Sequence, residues 1–199
     1  MMKNNLLKVS DLIFVGVYSA VYFLFLTIAT FASAIIVPVY GMVLIPAFAA
    51  LLCALPYYLL ALKVQKFGAI SLMGFIMGAF YFVSGHFPLS FLPAFVFSVL
   101  ADLIAFKSQY KNMKVLTLSY IVFSFVNSGP ILPLYLTKEL YIQNLEARGK
   151  DAEYIGKLFS QVSVATFIVF VVGTILMAII SSIFSKKMMK KHFEKAGVI

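Results

Sequence analysis

Long apolar runs separated by short polar gaps form the pattern of the whole chain. A helical membrane span needs about 20 consecutive apolar residues, and windows of that kind predict six helices here. We expect them at about residues 10–32, 40–62, 68–84, 88–106, 114–136 and 153–185. The last is longer than a span, so its first turns are expected to stand clear of the bilayer. Without an internal repeat, the pattern predicts a single transmembrane domain over residues 1–199.

Prolines interrupt two of the predicted helices. Pro46 and Pro56 fall inside the second and are candidates for kinks. The fifth contains FVNSGPILPLY (125–135), where Pro130 removes a backbone donor and frees a carbonyl near residue 126. Irregular backbone at membrane depth is tolerated only where neighbouring protein or a cavity satisfies its hydrogen bonds. We therefore expect packed protein or a cavity beside this segment.

Composition places the chain in the membrane. Of 199 residues, 63% are hydrophobic and 12% are charged, with a mean hydropathy of +1.03. A soluble domain is typically about 45–50% apolar and about 25% charged. We therefore expect an all-α integral membrane protein. The single cysteine, Cys53, lies in an apolar run and provides no disulfide framework.

The net charge of +9 is carried by lysines in the gaps between apolar runs. One side of the predicted topology carries Lys3, Lys8, Lys63, Lys66, Lys107, Lys111, Lys114 and the lysines of the tail KKMMKKHFEK (186–195). The opposite gaps, 33–39 and 84–88, carry none. By the positive-inside rule both termini are cytoplasmic in a bacterial plasma membrane. This distribution indicates contact with the lipid bilayer and not with nucleic acid, with a specific lipid or protein contact of the tail as the alternative.

No catalytic constellation is found in the sequence. It has no glycine-rich phosphate loop, no HExxH, no paired intramembrane carboxylates and no Ser/His/Asp set, so we expect no enzyme and no cofactor of its own. The one acid in a helix body, Asp102, is expected to pair with Lys107 or with neighbouring backbone; proton coupling is the alternative.

Neutral polar and aromatic residues of the outer half are the candidates for binding. His86, in YFVSGHFPLSFLP (81–93), is either a solvated loop residue or a pocket residue. Asn127 is either a pocket residue or a contact between helices. Tyr40 and Tyr135 are either interfacial anchors or part of the same cavity. A pocket without buried charge suits a neutral, aromatic or amphipathic ligand.

Small residues form one face of helix 1, with Gly16, Ser19 and Ala20 at helical spacing. Such a face lets another helix approach closely. Packing within the protein is the alternative to a docking surface.

These features together resemble an S component, the substrate-binding membrane subunit of an energy-coupling factor (ECF) transporter. The similar segments are KVSDLIFVGVYSAVYFL (8–24), LADLIA (100–105) and the Gly/Pro-rich fifth helix, and they are closest to the MptD/Trep_Strep branch. The resemblance covers essentially the whole chain. It implies a six-helix bundle, with both termini inside, that binds a vitamin or another micronutrient at its outer face.

The resemblance also implies partners and sites. A transmembrane coupling subunit, the T component, and two cytoplasmic ATPases that use ATP would energise transport. Docking would use Gly16 and Ala20, where Gly stands in place of the first Ala of the usual AxxxA motif. The pocket candidates would be Tyr40, Ser84, His86, Asn127 and Tyr135. The bound subunit would topple in the membrane.

Three other hypotheses stay open at this point. His86, with Met73, Met77 and Tyr81 nearby in sequence, permits a haem ligand, because imidazole is a common axial ligand. A structural or regulatory membrane subunit would bind no small molecule. A membrane-embedded enzyme acting on lipid would need an acid/base set, which the sequence does not show.

Overall fold

A computed structural model describes the backbone of residues 6–193 and the side chains of residues 6–191. This part of the chain is helical, with no strand among the described residues. The α-helices are α1 (Val9–Ile36), α2 (Gly41–Leu52), α3 (Ala54–Val64), α4 (Ala69–Val83), α5 (Phe91–Lys107), α6 (Met113–Ser124), α7 (Leu132–Leu136), α8 (Lys138–Ala147), α9 (Ala152–Phe159) and α10 (Val164–Met188). Short 3-10 turns cover Pro88–Ser90 and Phe125–Ser128, and a π-helical turn covers Met189–Phe193. The predicted roles of Lys3 and of the end of the basic tail lie outside the described residues.

Within the described residues, three helical segments are long and apolar enough to cross a bilayer, and the bent pair α2–α3 makes a fourth. They are Val9–Ile36, Pro88–Lys107 and Val164–Lys191. Large apolar side chains such as Ile13, Val96 and Val169 are exposed on their outer faces, as expected where lipid replaces water. The all-helical prediction is confirmed. Six spans stay a prediction, because Ala69–Val83 and Met113–Ser128 are apolar but shorter.

The second predicted helix is two helices, and its expected start at residue 40 is the residue before α2. α2 and α3 meet at Cys53 with a bend of 48°. Pro56 explains the position of the break, because it has no N–H to donate to the carbonyl of Leu52 and its ring crowds that carbonyl. Pro46, in contrast, lies inside α2 without ending it.

The fifth predicted helix, 114–136, is also wrong as one element. α6 ends at Ser124, a 3-10 turn follows, and the short α7 begins only at Leu132. Pro130 and Pro133 each remove a donor from this stretch, so a regular helix cannot continue. α8 follows at once, in the charged connection where no helix was expected.

The sixth predicted helix, 153–185, is divided into α9 and α10. Ser163 caps α10: its Oγ accepts from the backbone N of Thr166 at 3.2 Å, and the Thr166 side chain accepts from the Ser163 N at 2.9 Å. Such a capping box marks a helix start. The turns expected to stand clear of the bilayer thus form a separate helix, and their position relative to the bilayer stays a prediction.

One apolar core joins α1, α3, α4 and α6 around buried tyrosines. The Tyr57 hydroxyl lies 2.6 Å from Ser119 Oγ, and the Tyr120 hydroxyl donates to the carbonyl of Ala50 at 2.7 Å. These bonds satisfy polar atoms that would be costly to bury alone. The core fixes α2, α3 and α6 against each other near the middle of the bundle.

Asp102 organises the lysine-rich end of the bundle, where α1 begins and α3 and α5 end. Its Oδ2 accepts from the backbone N of Gly68 at 2.8 Å, from the N of Ser71 at 2.9 Å and from Ser71 Oγ at 2.8 Å. Its Oδ1 accepts from the Tyr110 hydroxyl at 2.5 Å. The carboxylate thus caps the N-terminus of α4 from another helix. The observed partner is neighbouring backbone, as one of the expectations had it, and not Lys107.

Candidate functional site

A cavity of about 390 Å³ lies at the other end of the bundle, beside the α4–α5 loop. This volume falls within the range of about 300–1,000 Å³ typical of small-molecule sites. α1, α2, α4, the α4–α5 loop, the segment after α6 and α8 all contribute to its wall. The lining residues are Phe23, Leu26, Thr27, Thr30, Phe31, Met42, Ile45, Phe80, Tyr81, His86, Asn127, Pro130, Ile131 and Tyr141.

Asn127 supplies the buried polar group of this cavity. Its side chain is 1% exposed, and Nδ2 donates to the Tyr22 hydroxyl at 2.7 Å. Its Oδ1 accepts from the Tyr81 hydroxyl at 3.3 Å. Two tyrosines from α1 and α4 therefore fix the orientation of the amide. Asn127 thus both connects two helices and lines the cavity.

The interruption of the helix after α6 brings Asn127 to the cavity wall. Residues 125–128 form a 3-10 turn, and Gly129 then passes directly over the backbone of Ser90. A Cβ at position 129 would overlap the Ser90 carbonyl oxygen. The segment FVNSGP thus needs glycine for a close approach of two backbones. Pro130 and Ile131 continue along the wall.

Two threonines of α1, Thr27 and Thr30, line the same cavity. Thr27 Oγ1 donates to the Phe23 carbonyl at 3.0 Å, and Thr30 Oγ1 donates to the Leu26 carbonyl at 2.9 Å. Because each hydroxyl proton is used within the helix, these oxygens can act toward the cavity as acceptors. Sequence reasoning missed both residues, although their three-residue spacing places them on one face of the first helix.

His86 lies at the edge of the cavity, in contact with aromatic rings. Its ring centroid is 5.3 Å from that of Tyr81 and 6.4 Å from that of Phe80. Nδ1 lies 2.7 Å from Ser84 Oγ. Burial, and then the nearby Arg148 guanidinium, lowers the pKa of His86 below its ordinary value of 6.5. The imidazole is therefore neutral at pH 7.

Arg148, the single arginine of the chain, ties the connection after α8 to this loop. Its Nη1 donates to the Gly85 carbonyl and its Nη2 donates to the His86 carbonyl at 3.4 Å. α8 also packs through Tyr141, whose ring centroid is 5.0 Å from that of Phe87 and 6.3 Å from that of Phe159 in α9. α8 thus covers one side of the cavity through Tyr141, and α9 packs against α8. Neither Arg148 nor Tyr141 was expected, because no helix was predicted there.

The five candidate binding residues have different positions. His86 and Asn127 line the cavity, and Ser84 contacts it only through His86. Tyr40 precedes α2 as its N-cap residue, 45% exposed and away from the lining. Tyr135 does not line the cavity either: its hydroxyl lies 2.9 Å from Thr166 Oγ1 because the break after α6 turns α7 toward α10.

The small residues of helix 1 lie on two faces. Gly16 and Ala20 are exposed on the surface of the bundle, and nothing lies within 4 Å of a Cβ built on Gly16. Ser19 is buried instead. The pair Gly16 and Ala20 therefore forms a smooth patch on α1 that no described part of this chain covers.

A second cavity, of about 520 Å³, lies at the lysine-rich end. It is lined only by Leu6, Leu7, Phe67, Leu103 and Phe106. Because these side chains offer no polar group for recognition, the cavity beside Asn127 is the better candidate for a specific site.

Two of the four residues named for the haem hypothesis, Tyr81 and His86, line the cavity. Met73 and Met77 are buried in the core and do not line it, while the Tyr81 hydroxyl is bonded to Asn127. His86 is the one imidazole of the lining. Among the described residues, no group of three or more His, Cys, Asp or Glu side chains could hold a metal ion.

The fold and the cavity define a polytopic helical membrane protein with an uncharged internal site. The chain belongs to the Trep_Strep family, described as hypothetical bacterial integral membrane proteins, whose family model matches residues 9–195. The predictions of a bacterial integral membrane protein and of the Trep_Strep family are thereby confirmed, while the S-component role stays a prediction. No curated protein and no solved structure matches the chain.

Proposed function

We propose that this protein is the substrate-binding subunit of an ECF-type ABC importer. It captures a vitamin-like or other small nutrient in the cavity beside Asn127 and delivers it through a coupling subunit driven by two ATPases. The protein itself catalyses no reaction. The observation that carries the proposal is the cavity itself, which combines an apolar wall with a few fixed polar groups, as binding sites for small molecules do.

The distribution of charge supports the direction of uptake. The cavity lies at the end of the bundle opposite Lys66 and Lys107, and the lysine-rich end is the cytoplasmic one by the positive-inside rule. In this orientation the cavity faces the outside of the plasma membrane and both termini are cytoplasmic. A nutrient can then enter from the outside.

The exposed patch of Gly16 and Ala20 supports docking onto a partner helix. Small residues allow two helix backbones to approach closely in a membrane, where apolar surface alone gives little drive for association. Because this patch lies on the outer face of α1, a coupling subunit can reach it without disturbing the core.

Co-purification from the native host tests the proposal. The tagged chain is expected to retain a coupling subunit and two ATPases in mild detergent. The double variant Gly16→Leu/Ala20→Leu is expected to lose them, while Ala165→Leu, the same kind of change at an exposed position of α10, retains them. If the wild-type chain brings down no ATPase and no small molecule, the structural or regulatory subunit is the better account.

A further inference from the structure

We infer that the ligand of this cavity is an uncharged molecule with an apolar body and an amide-type group, which binds Asn127. An amide-type group here means a hydrogen-bond donor beside an acceptor, as in a carboxamide, a lactam or a urea. The inference rests on the proposed function and names the substrate class of the same site.

The hydrogen bonds of Asn127 leave one donor and one acceptor position open. A side-chain amide has two N–H donors and an oxygen with two lone pairs. One N–H is used on Tyr22 and one lone pair accepts from Tyr81. A ligand that offers both an acceptor and a donor can satisfy the two remaining positions together. Leaving them unpaired in a filled cavity would be unfavourable.

The threonine side of the cavity favours a ligand with a donor. Thr27 and Thr30 have given their protons to the carbonyls of Phe23 and Leu26, so their oxygens present lone pairs. A carboxylate or a phosphate offers only acceptors and would face these lone pairs without a bond. An amide N–H can be bound here.

The lining also lacks a counter-charge for an ionic ligand. None of its fourteen residues is Lys, Arg, Asp or Glu. The Arg148 guanidinium is engaged on two carbonyls of the α4–α5 loop and is not among the lining residues. Moving an unpaired charge from water into such a site is strongly unfavourable. An acid or an amine is therefore excluded in its ionised form.

Aromatic side chains dominate the remaining wall. Five of the fourteen lining residues are Phe or Tyr, and the rings of Phe23 and Phe80 meet edge to face with centroids 4.4 Å apart. Such a wall packs well against a ring or another compact apolar body. The expected ligand therefore combines a ring or another compact apolar body with an amide-type group.

Benzamide and benzoate form a matched pair of probes for this inference. They share one ring and differ in the amide against the carboxylate, which is ionised at pH 7. Binding to the protein in lipid nanodiscs is measured by saturation-transfer NMR, with competition against any co-purified molecule. We expect benzamide to bind at least about tenfold more tightly than benzoate, because only the acid must be buried with its charge.

Two variants locate the effect in the cavity. Asn127→Leu is expected to weaken benzamide binding about tenfold or more, because the amide of the ligand loses its hydrogen-bond partner. Thr30→Val is expected to weaken the binding of benzamide about three- to tenfold. This variant provides the test if Asn127→Leu does not fold. Thr174→Val is the control, because Thr174 makes the same kind of bond, to the Phe170 carbonyl, but lies outside the cavity.

The outcomes separate the substrate class from the proposed function. Benzoate binding as tightly as benzamide, or benzamide binding unchanged in both Asn127→Leu and Thr30→Val, overturns the inference and leaves a binding subunit for another class of ligand. Failure of both probes, together with no co-purified molecule and no co-purified ATPase, removes the proposed function itself.

Discussion

At the scale of single residues, His86 joins the cavity to the α4–α5 loop. Its ring contacts Tyr81 and Phe80, its Nδ1 pairs with Ser84, and its backbone carbonyl accepts from Arg148. These neighbours carry one positive charge and no negative one. A second charge on the imidazole would therefore be unfavourable in the folded protein.

This environment predicts a pH dependence of stability. Burial and Arg148 lower the pKa of His86 below 6.5, so the folded state favours the neutral ring. The stabilisation from His86 is fully present above pH 6.5 and is lost as the pH falls through the lowered pKa. Thermal unfolding between pH 8 and pH 5 should show the wild type losing stability relative to His86→Gln, which does not titrate. Parallel curves for the two proteins would contradict this assignment.

The hydrogen bonds of Asp102 predict a marked loss of stability in the conservative variant Asp102→Asn. Asp102→Asn places an NH₂ group where the carboxylate accepts from Gly68, Ser71 and Tyr110. Burial, and then the neighbouring Asp102, raises the pKa of Tyr110, so the phenol keeps its proton and stays a donor. We expect a cost on the order of 2 kcal/mol or more, seen as a lower unfolding midpoint in detergent.

Asp151→Asn is the matched control for that experiment. Asp151 caps α9 through a single bond from the Tyr154 backbone N at 2.8 Å and is exposed. Asparagine is about as good an N-cap as aspartate, so little change is expected. Equal midpoints for Asp102→Asn and Asp151→Asn would return Asp102 to the proton-coupling hypothesis.

At the scale of elements, the broken segment after α6 determines where Asn127 lies. Gly129→Ala would force a Cβ into the Ser90 backbone and push the segment off α5. We expect a loss of about 1–3 kcal/mol, as for overpacked sites, and a weaker ligand complex. Gly156→Ala, at an open position of α9, should be neutral or slightly stabilising. A Gly129→Ala protein as stable as the wild type would show that the two backbones are not held together as described.

Several element boundaries could be predicted from local chemistry and others could not. The position of the break at Cys53 follows from Pro56, and the start of α10 follows from the cap at Ser163. Apolar windows alone merge such segments, because a break of a few residues hardly changes the hydropathy. α8 was missed for the opposite reason, since its charged sequence resembles a loop.

The candidate site was predictable only in part, because it depends on contacts between distant residues. Asn127 could be singled out from the Gly/Pro break beside it. Its partner Tyr22 lies 105 positions away in sequence, and no local pattern pairs them. Tyr40 and Tyr135 are of a residue type that often lines cavities, but neither of them is among the lining residues.

At the scale of the whole molecule, the two ends of the bundle differ in structure. The lysine-rich end is fixed by Asp102 and by the ion pair of Lys66 with Asp11 at 2.5 Å. The other end holds the cavity, covered on one side by α8. We propose that this cavity holds a small molecule.

Native mass spectrometry of the protein purified from its own host, with an absorbance spectrum, tests that claim most directly. We predict one bound molecule per chain in the wild type and in Ile28→Trp, an exposed change on α1 outside the lining. Thr30→Trp, which fills the cavity, should carry none. A Soret band would make haem the ligand, with His86 as its axial residue, and would contradict the uncharged substrate class. If none of the three preparations carries a bound small molecule, and no ATPase co-purifies with the wild type, the proposed function is contradicted.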